Sequence, residues 1–262
     1  MKECKCLFAY QFTDEDIKDH FKGFPNLGIL RILLLWIDDL LKNSWLLKDN
    51  CINGDTAYLL DEITSPQSVV CSLRFNYIHS TAFGFTDSIT KLKLRELEDW
   101  RDLSDKMEIY LHSKDSQSTK FSMTKNYSRI GRFIFFIKYA REARNQGHKI
   151  LNYCSAFETI LSTDNFEIAH KIAERAAFFN QTNLEKIETF KAIKKAYNVR
   201  SKLTHGASMS QKDIDELPDL AVKLDNILRA TIIKILNDDS LIEIMESKKD
   251  RITDYFNNLV LK

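Results

Sequence analysis

The sequence predicts a mainly α-helical protein, with a C-terminal helical bundle preceded by a smaller mixed α/β part. Three observations carry this. The chain of 262 residues contains only seven glycines and three prolines, and scarce breakers favour long helices over a turn-rich all-β fold. Apolar residues recur at three and four through most of the last 130 or so positions. One stretch, Val69 to Tyr77, is instead rich in β-branched and aromatic residues, which suits a strand.

In order, the first ~60 residues carry a helical pattern. Leu30, Leu33, Leu34, Ile37, Leu40 and Leu41 make one face of a helix. The run Leu27–Leu41 also holds Arg31, Asp38 and Asp39, so it is too short and too charged to span a bilayer. Asn53-Gly54 reads as a turn. Ser65-Pro66 reads as a stop, because proline disfavours helix in the residue before it. Val69–Tyr77 and Thr81–Phe85 are expected strands, Ile89–Leu97 fits neither period, and Met107–Leu111 is a possible further strand. Residues 113–120 are polar and small and are expected to link an N-terminal region, 1–120, to a helical domain, 129–262.

Five helices and a capping box follow. Ile130, Phe133, Ile134, Ile137 and Ala140 line the first helix, which is expected to end near Gln146-Gly147. Phe133, Phe135 and Phe136 crowd on it, as for a core or dimer interface. The second runs from about His148 to Leu161. Asp164 and Glu167 have the spacing of a capping box for the third, which turns Ile168, Ile172, Ala176 and Phe179 inward. The fourth spans about Asn183–Thr204 and stops at Gly206, a residue suited to the left-handed position after a helix. The fifth starts near Asp215 and Pro218. Ser240 and Glu243 form a second capping-box pattern, opening a last helix to about Leu259.

Composition narrows the function classes. The net charge is +1, so RNA affinity has to come from a local patch. Five cysteines, at 4, 6, 51, 71 and 154, show no disulfide framework and read as reduced thiols of a cytosolic protein. Cys4-x-Cys6 lacks a second pair at zinc-finger spacing, so no metal is assigned. No signal-peptide pattern appears at the N-terminus. There is no Gly-rich phosphate loop, no G-x-S-x-G and no H-E-x-x-H. His20, His79, His112 and His148 lack ligand spacing, and His170 reads as structural.

The fourth helix holds the site. Leu184, Ile187, Phe190, Ile193, Ala196 and Tyr197 form its buried stripe, and Arg200, two turns after Ile193, continues it. Arginine resists burial, so Arg200 either snorkels or pairs with a buried carboxylate, or faces a cleft. His205 lies about 140° further round on an ideal helix, and meets Arg200 only if the helix ends or tightens there. No acidic residue occurs from Lys191 to Lys212, a local basic run that suits phosphate contact but also suits a solvated helix face. Glu158, on the inner side of the second helix, is placed to orient Arg200 or His205, or simply supports its helix.

These segments resemble a known family. NYCSAFETIL (Asn152–Leu161) is similar to the "ALE-x-L" helix of HEPN domains. HKIAERAAFF (His170–Phe179) is similar to the family's next helix, and YNVRSKLTHG (Tyr197–Gly206) to its Y-x-x-R-S-K-x-x-H-G signature. Residues 129–262 therefore resemble the HEPN domain, in particular the Apea-like group of bacterial anti-phage and abortive-infection proteins. The resemblance implies a bundle that dimerises and an RNase that uses neither metal nor other cofactor. Arg200 and His205 would be its catalytic pair, with Glu158 orienting. Asn198 is a candidate substitute at the site, because Ser201 stands where much of the wider family has Asn, Asp or His. RNA contact is assigned to Lys194, Lys195, Lys202 and Ser201. The implied partners are RNA, a second copy, and an antitoxin or defence protein, with no membrane. The competing readings are a non-catalytic dimerisation module sensing a partner or nucleotide, and a companion to a nucleotidyl-transferase.

Overall fold

The computed structural model describes residues 23, 25–61, 68–86, 88, 90–112, 128–180 and 183–261. Among these the chain is mainly helical, with one two-stranded sheet. Helix α1 spans Asn26–Asn43 and runs into a 3-10 turn, Ser44–Leu46. Strands β1 (Asn53–Asp61) and β2 (Ser68–Ile78) pair with each other. Then come α2 (Leu94–His112), α3 (Arg129–Glu142), α4 (Gln146–Leu161), α5 (Ile168–Asn180), α6 (Asn183–Thr204), α7 (Gln211–Asp215), α8 (Leu217–Leu236), α9 (Asp239–Met245) and α10 (Lys249–Val260).

The chain forms two compact units, Met1–Asp39 with Gly54–Asn76, and Leu40–Asn53 with Tyr77–Lys262. The first contains the sheet and most of α1. Along β1, Tyr58 and Leu60 are exposed while Leu59 between them is half-buried, the period-two alternation of a strand. The second unit contains the bundle, and it reaches further back than a split at residues 113–120, which lie outside the described residues. Trp45, Leu46 and Met107 all belong to its core.

That core is built where α3, α4, α5, α6 and α8 meet. Phe133, Tyr153, Phe157, Ile172, Phe179, Ile193, Leu224 and Leu228 are all buried in it. Ala156, Ala173, Ala176, Ala196 and Ala221 are fully buried as well, and small residues at such positions let helices approach closely. Helix ends are satisfied from a distance. The Glu246 carboxylate accepts the first α3 amides, from Arg129 (3.1 Å) and Ile130 (2.8 Å). Arg175 Nη1 donates to the Leu161 carbonyl at 2.6 Å, at the end of α4.

Several expectations need correction. Asn53-Gly54 opens β1 instead of turning, so the helical pattern of the first ~60 residues gives way to a strand. Ser65-Pro66 lies outside the described residues. Thr81–Phe85 is a tight turn, not a strand: Gly84 has φ +107°, and Thr81 N–H donates to the Phe85 carbonyl at 2.8 Å. Met107–Leu111 is helical, because Trp100, Leu103 and Met107 form a buried or half-buried stripe at helical spacing.

The α3 helix stops at Glu142, and Gln146-Gly147 starts α4 under an Asn145 cap that accepts from His148 N–H at 2.8 Å. The Asp164/Glu167 capping box does not form. Asp164 accepts instead from Phe166 N–H and pairs with Lys171, while Glu167 sits at φ +49° just before α5. Asp238, not Ser240, caps α9, and the expected last helix is two. The break lets Met245 on one side and Ile252 and Phe256 on the other all reach the core. Within α6, Ile187 is exposed and Phe190 only half-buried. The side chain of Leu184 lies outside the described residues.

Candidate functional site

The sequence dictates how α6 ends. Thr204 is its last helical residue and Gly206 takes φ +68°, a conformation open to glycine without penalty. Ala207 N–H then returns to the Lys202 carbonyl at 2.8 Å, and Gly206 N–H to the Leu203 carbonyl at 3.4 Å. These are the two bonds of a Schellman cap. His205 is thereby fixed at the helix end with an exposed side chain.

Arg200 points elsewhere. Its Nη1 donates to Glu158 Oε1 on α4, and the same oxygen accepts from Tyr197 Oη at 3.0 Å. The guanidinium lies over the Tyr197 ring, 5.5 Å from the ring centroid. The pair is neither buried nor free, with side chains 32% and 23% exposed. Burial, with the Glu158 charge adding to it, holds the Tyr197 phenol far above its ordinary range, so it stays a proton donor. Cys154 lies nearby, and burial pushes its thiol up to about 12, which removes it as a nucleophile.

The register of the two helices separates the arginine from the histidine. Near its start, α4 packs against the end of α6: a β-carbon on Gly147 would lie 2.9 Å from Leu203 Cδ1. Glu158 is eleven residues further along α4, about 16 Å of helix rise, and it meets Tyr197 and Arg200. The helices therefore run antiparallel, and the Arg200 side chain spans from α6 to Glu158 on α4. Its charged end is drawn away from His205. No hydrogen bond or ion pair joins the His205 ring to Arg200 or Glu158.

The other sequence-derived residues divide. Asn198 and Ser201 are exposed on α6; the Ser201 carbonyl accepts His205 N–H at 3.0 Å. Lys195 pairs with Glu216, and Lys202 with Asp213 at 3.0 Å. The basic run is thus free of acids along the chain but not in space, because α7 folds the next segment back beside it. Those lysines in turn hold the Asp213 and Glu216 carboxyls below their usual range. Among the described residues, Lys191 and Lys194 have no carboxylate at ion-pair distance. Phe133 is buried core. Phe135 and Phe136 are half-buried, and Phe135 packs edge-on against Tyr139, 4.4 Å between centroids. His170 is exposed and stands edge-on to Phe190. Cys4 and Cys6 lie outside the described residues.

A second polar constellation escaped the sequence reading. Asp225 on α8 is 1% exposed. Its Oδ1 accepts from Trp45 Nε1 and from Tyr153 Oη, each at 2.7 Å, and its Oδ2 pairs with Arg229. Beside it, buried Lys149 donates to Ser80 Oγ (2.8 Å) and the Ala140 carbonyl (2.9 Å). Burial pulls that ammonium down to about 8, although Asp225 and Asp49 oppose the shift. Buried Arg141 donates to Asn50 Oδ1 at 2.6 Å. The signal was present: Asp225 interrupts the apolar stripe Ala221, Leu224, Leu228, Ile232, as Arg200 interrupts that of α6. With donors on every side and little solvent contact, the cluster suits fastening residues 42–50 and 80–82 to the bundle, not chemistry on a substrate. Among the described residues, no group of three or more His, Cys, Asp or Glu is arranged to hold a metal ion.

Against models of known families, curated proteins and solved structures, the chain finds no match. Among the described residues, no helix is long and apolar enough to cross a membrane.

Proposed function

We propose that this protein is a metal-independent endoribonuclease of HEPN type, acting as a homodimer in the cytosol in anti-phage defence or as a toxin. One observation carries the reading: Arg200, partly exposed, is steadied by Glu158 on one N–H and backed by Tyr197, on the helix whose capped end presents His205. In this mechanism the ribose 2′-OH loses its proton as its oxygen attacks the adjacent phosphorus. The bond from phosphorus to the 5′-oxygen breaks, and that oxygen takes up a proton. His205 is the group that moves these protons. Arg200 holds the phosphate and offsets its growing charge. Glu158 positions Arg200, Asn198 and Ser201 supply polar contacts beside it on α6, and Lys194 is an open cation for the RNA backbone. A second copy adds its own Arg200 and His205 across the same cleft.

The products are a 2′,3′-cyclic phosphate and a 5′-OH, and DNA is not cut. The test is cleavage of total RNA in EDTA with mapping of product ends. Arg200→Ala and His205→Ala should each lose roughly 10²–10⁴-fold in rate with the fold unchanged. A purified dimer that leaves every RNA intact sinks the reading.

A second reading, a non-catalytic dimerisation module sensing a partner or nucleotide, is favoured by the pairing of Lys195 and Lys202 with carboxylates, which leaves little open positive charge on one protomer. It requires that Arg200→Ala and His205→Ala leave the cellular phenotype untouched.

A further inference from the structure

We infer that the turn Thr81–Phe85 is a base-stacking platform for single-stranded RNA, flanking the end of α6. Phe83 and Phe85 are 40% and 53% exposed. Their rings stack, with centroids 5.0 Å apart and planes 20° from parallel. Two rings packed on each other and open to solvent leave an outer face for a further flat ring.

The turn is held from several sides. Thr81 N–H and Gly84 N–H donate within it, to the Phe85 carbonyl at 2.8 Å and the Thr81 carbonyl at 3.0 Å. Phe85 N–H donates to Thr81 Oγ1 at 3.0 Å, and Ala82 N–H to Asp49 Oδ2 at 2.8 Å. Gln146 Nε2 donates to the Phe83 carbonyl. Gly84 is favoured by its φ of +107°, which L side chains rarely adopt. A surface held this firmly loses little freedom when a ligand stacks on it.

Its position ties it to the candidate site. Gln146 begins α4, and the next residue, Gly147, packs against Leu203, two residues before His205. The phenylalanines thus stand at the same end of the bundle as His205. Arg144 precedes Gln146 by two residues, is exposed, and has no carboxylate partner among the described residues. An open cation beside a stacking surface is what single strands use, the cation for phosphate and the ring for a base. A partner of mixed surface chemistry has less use for two parallel rings.

The assignment of RNA rests on the proposed nuclease reading, and the test separates the two. The full-length His205→Ala chain, which should not cut, is titrated into a fluorescein-labelled twelve-nucleotide oligoadenylate and into the same oligonucleotide with abasic sugars. Adding Phe83→Ala and Phe85→Ala should weaken oligoadenylate binding by about tenfold or more. It should barely change abasic binding, and Phe83→Tyr with Phe85→Tyr should restore the wild-type affinity. Unchanged oligoadenylate affinity overturns the platform, as does an equal loss on the abasic strand. A shift in oligomeric state with RNA affinity unmoved would instead make the turn a self-association surface. Lost binding in a chain whose His205 form never cuts keeps the platform and removes the nuclease; no binding of either strand removes both.

Discussion

Two arginine–carboxylate pairs occupy the same bundle and behave as opposites. Arg229 and Asp225 face each other across one turn of α8, with side chains 12% and 1% exposed. Asp225 also receives Trp45 and Tyr153, while Arg229 donates Nε to the Trp45 carbonyl at 2.8 Å and lies over the Trp45 ring. Arg200 and Glu158 join two helices, and both keep contact with solvent. There the carboxylate has only Tyr197 as a second donor, and the Arg200 Nε and Nη2 groups make no hydrogen bond among the described residues. The first pair is saturated and dry. The second has donors to offer. What marks a charged pair as a candidate site is therefore the hydrogen-bonding capacity left over, more than the presence of the pair.

The sharpest way to break this comparison is Asp225→Ala. It leaves the Trp45 indole and the Tyr153 hydroxyl without their acceptor in the interior and removes the counter-charge of Arg229, which keeps the Trp45 carbonyl. We expect a loss of about 3–5 kcal/mol, measured by urea unfolding. A loss below about 1 kcal/mol would mean that the two pairs do not differ as argued.

Glu158→Gln comes next. The same unfolding experiment should register a change under about 1 kcal/mol, as for partly exposed pairs. If Glu158 positions Arg200, kcat for RNA cleavage should fall roughly tenfold, with KM unchanged or lower as the guanidinium regains its full charge. An unaltered kcat would reduce Glu158 to a support of its helix.

A pH series sharpens the buried side. The Lys149 ammonium is depressed in the folded state relative to a free lysine. Between about pH 8 and 10 the unfolded chain therefore holds the extra proton, and stability should rise with pH across that window. Lys149→Met should flatten the rise, as read from urea midpoints at pH 7, 8, 9 and 10. The smallest effect is at the joint before α5. Glu167→Gly relieves a left-handed backbone position and should gain at most about 1 kcal/mol, seen as a small upward shift in Tm.

The end of α6 was legible because two independent signals agree there, the buried positions Ile193, Ala196 and Tyr197 and the glycine after the helix. Glu158 was legible as a partner for Arg200 or His205, or as a support of its helix, and it is Arg200 that it meets. Asp225 obeys the same rule, but its partners Trp45 and Tyr153 lie 180 and 72 positions away in the chain. No local pattern announces them. The basic run is partly paired for a related reason: a charge pattern is read along the chain, whereas Glu216 and Asp213 fold back onto Lys195 and Lys202 and leave Lys191 and Lys194 open. Met107–Leu111 alternates like a strand only if Trp100 and Leu103 are ignored. The Phe83–Phe85 turn, read as strand from its aromatics, is set by Gly84 and by a glutamine sixty-two residues on.

The half-occupied state of Arg200 has a kinetic side under the proposed mechanism. A guanidinium already touching a carboxylate offers a phosphate its open edge, but its charge is partly cancelled. It should therefore grip less tightly than a solitary arginine would. For an enzyme that has to let go of a cyclic phosphate after each cut, that means short product residence, with Glu158 setting the dwell time as well as the aim.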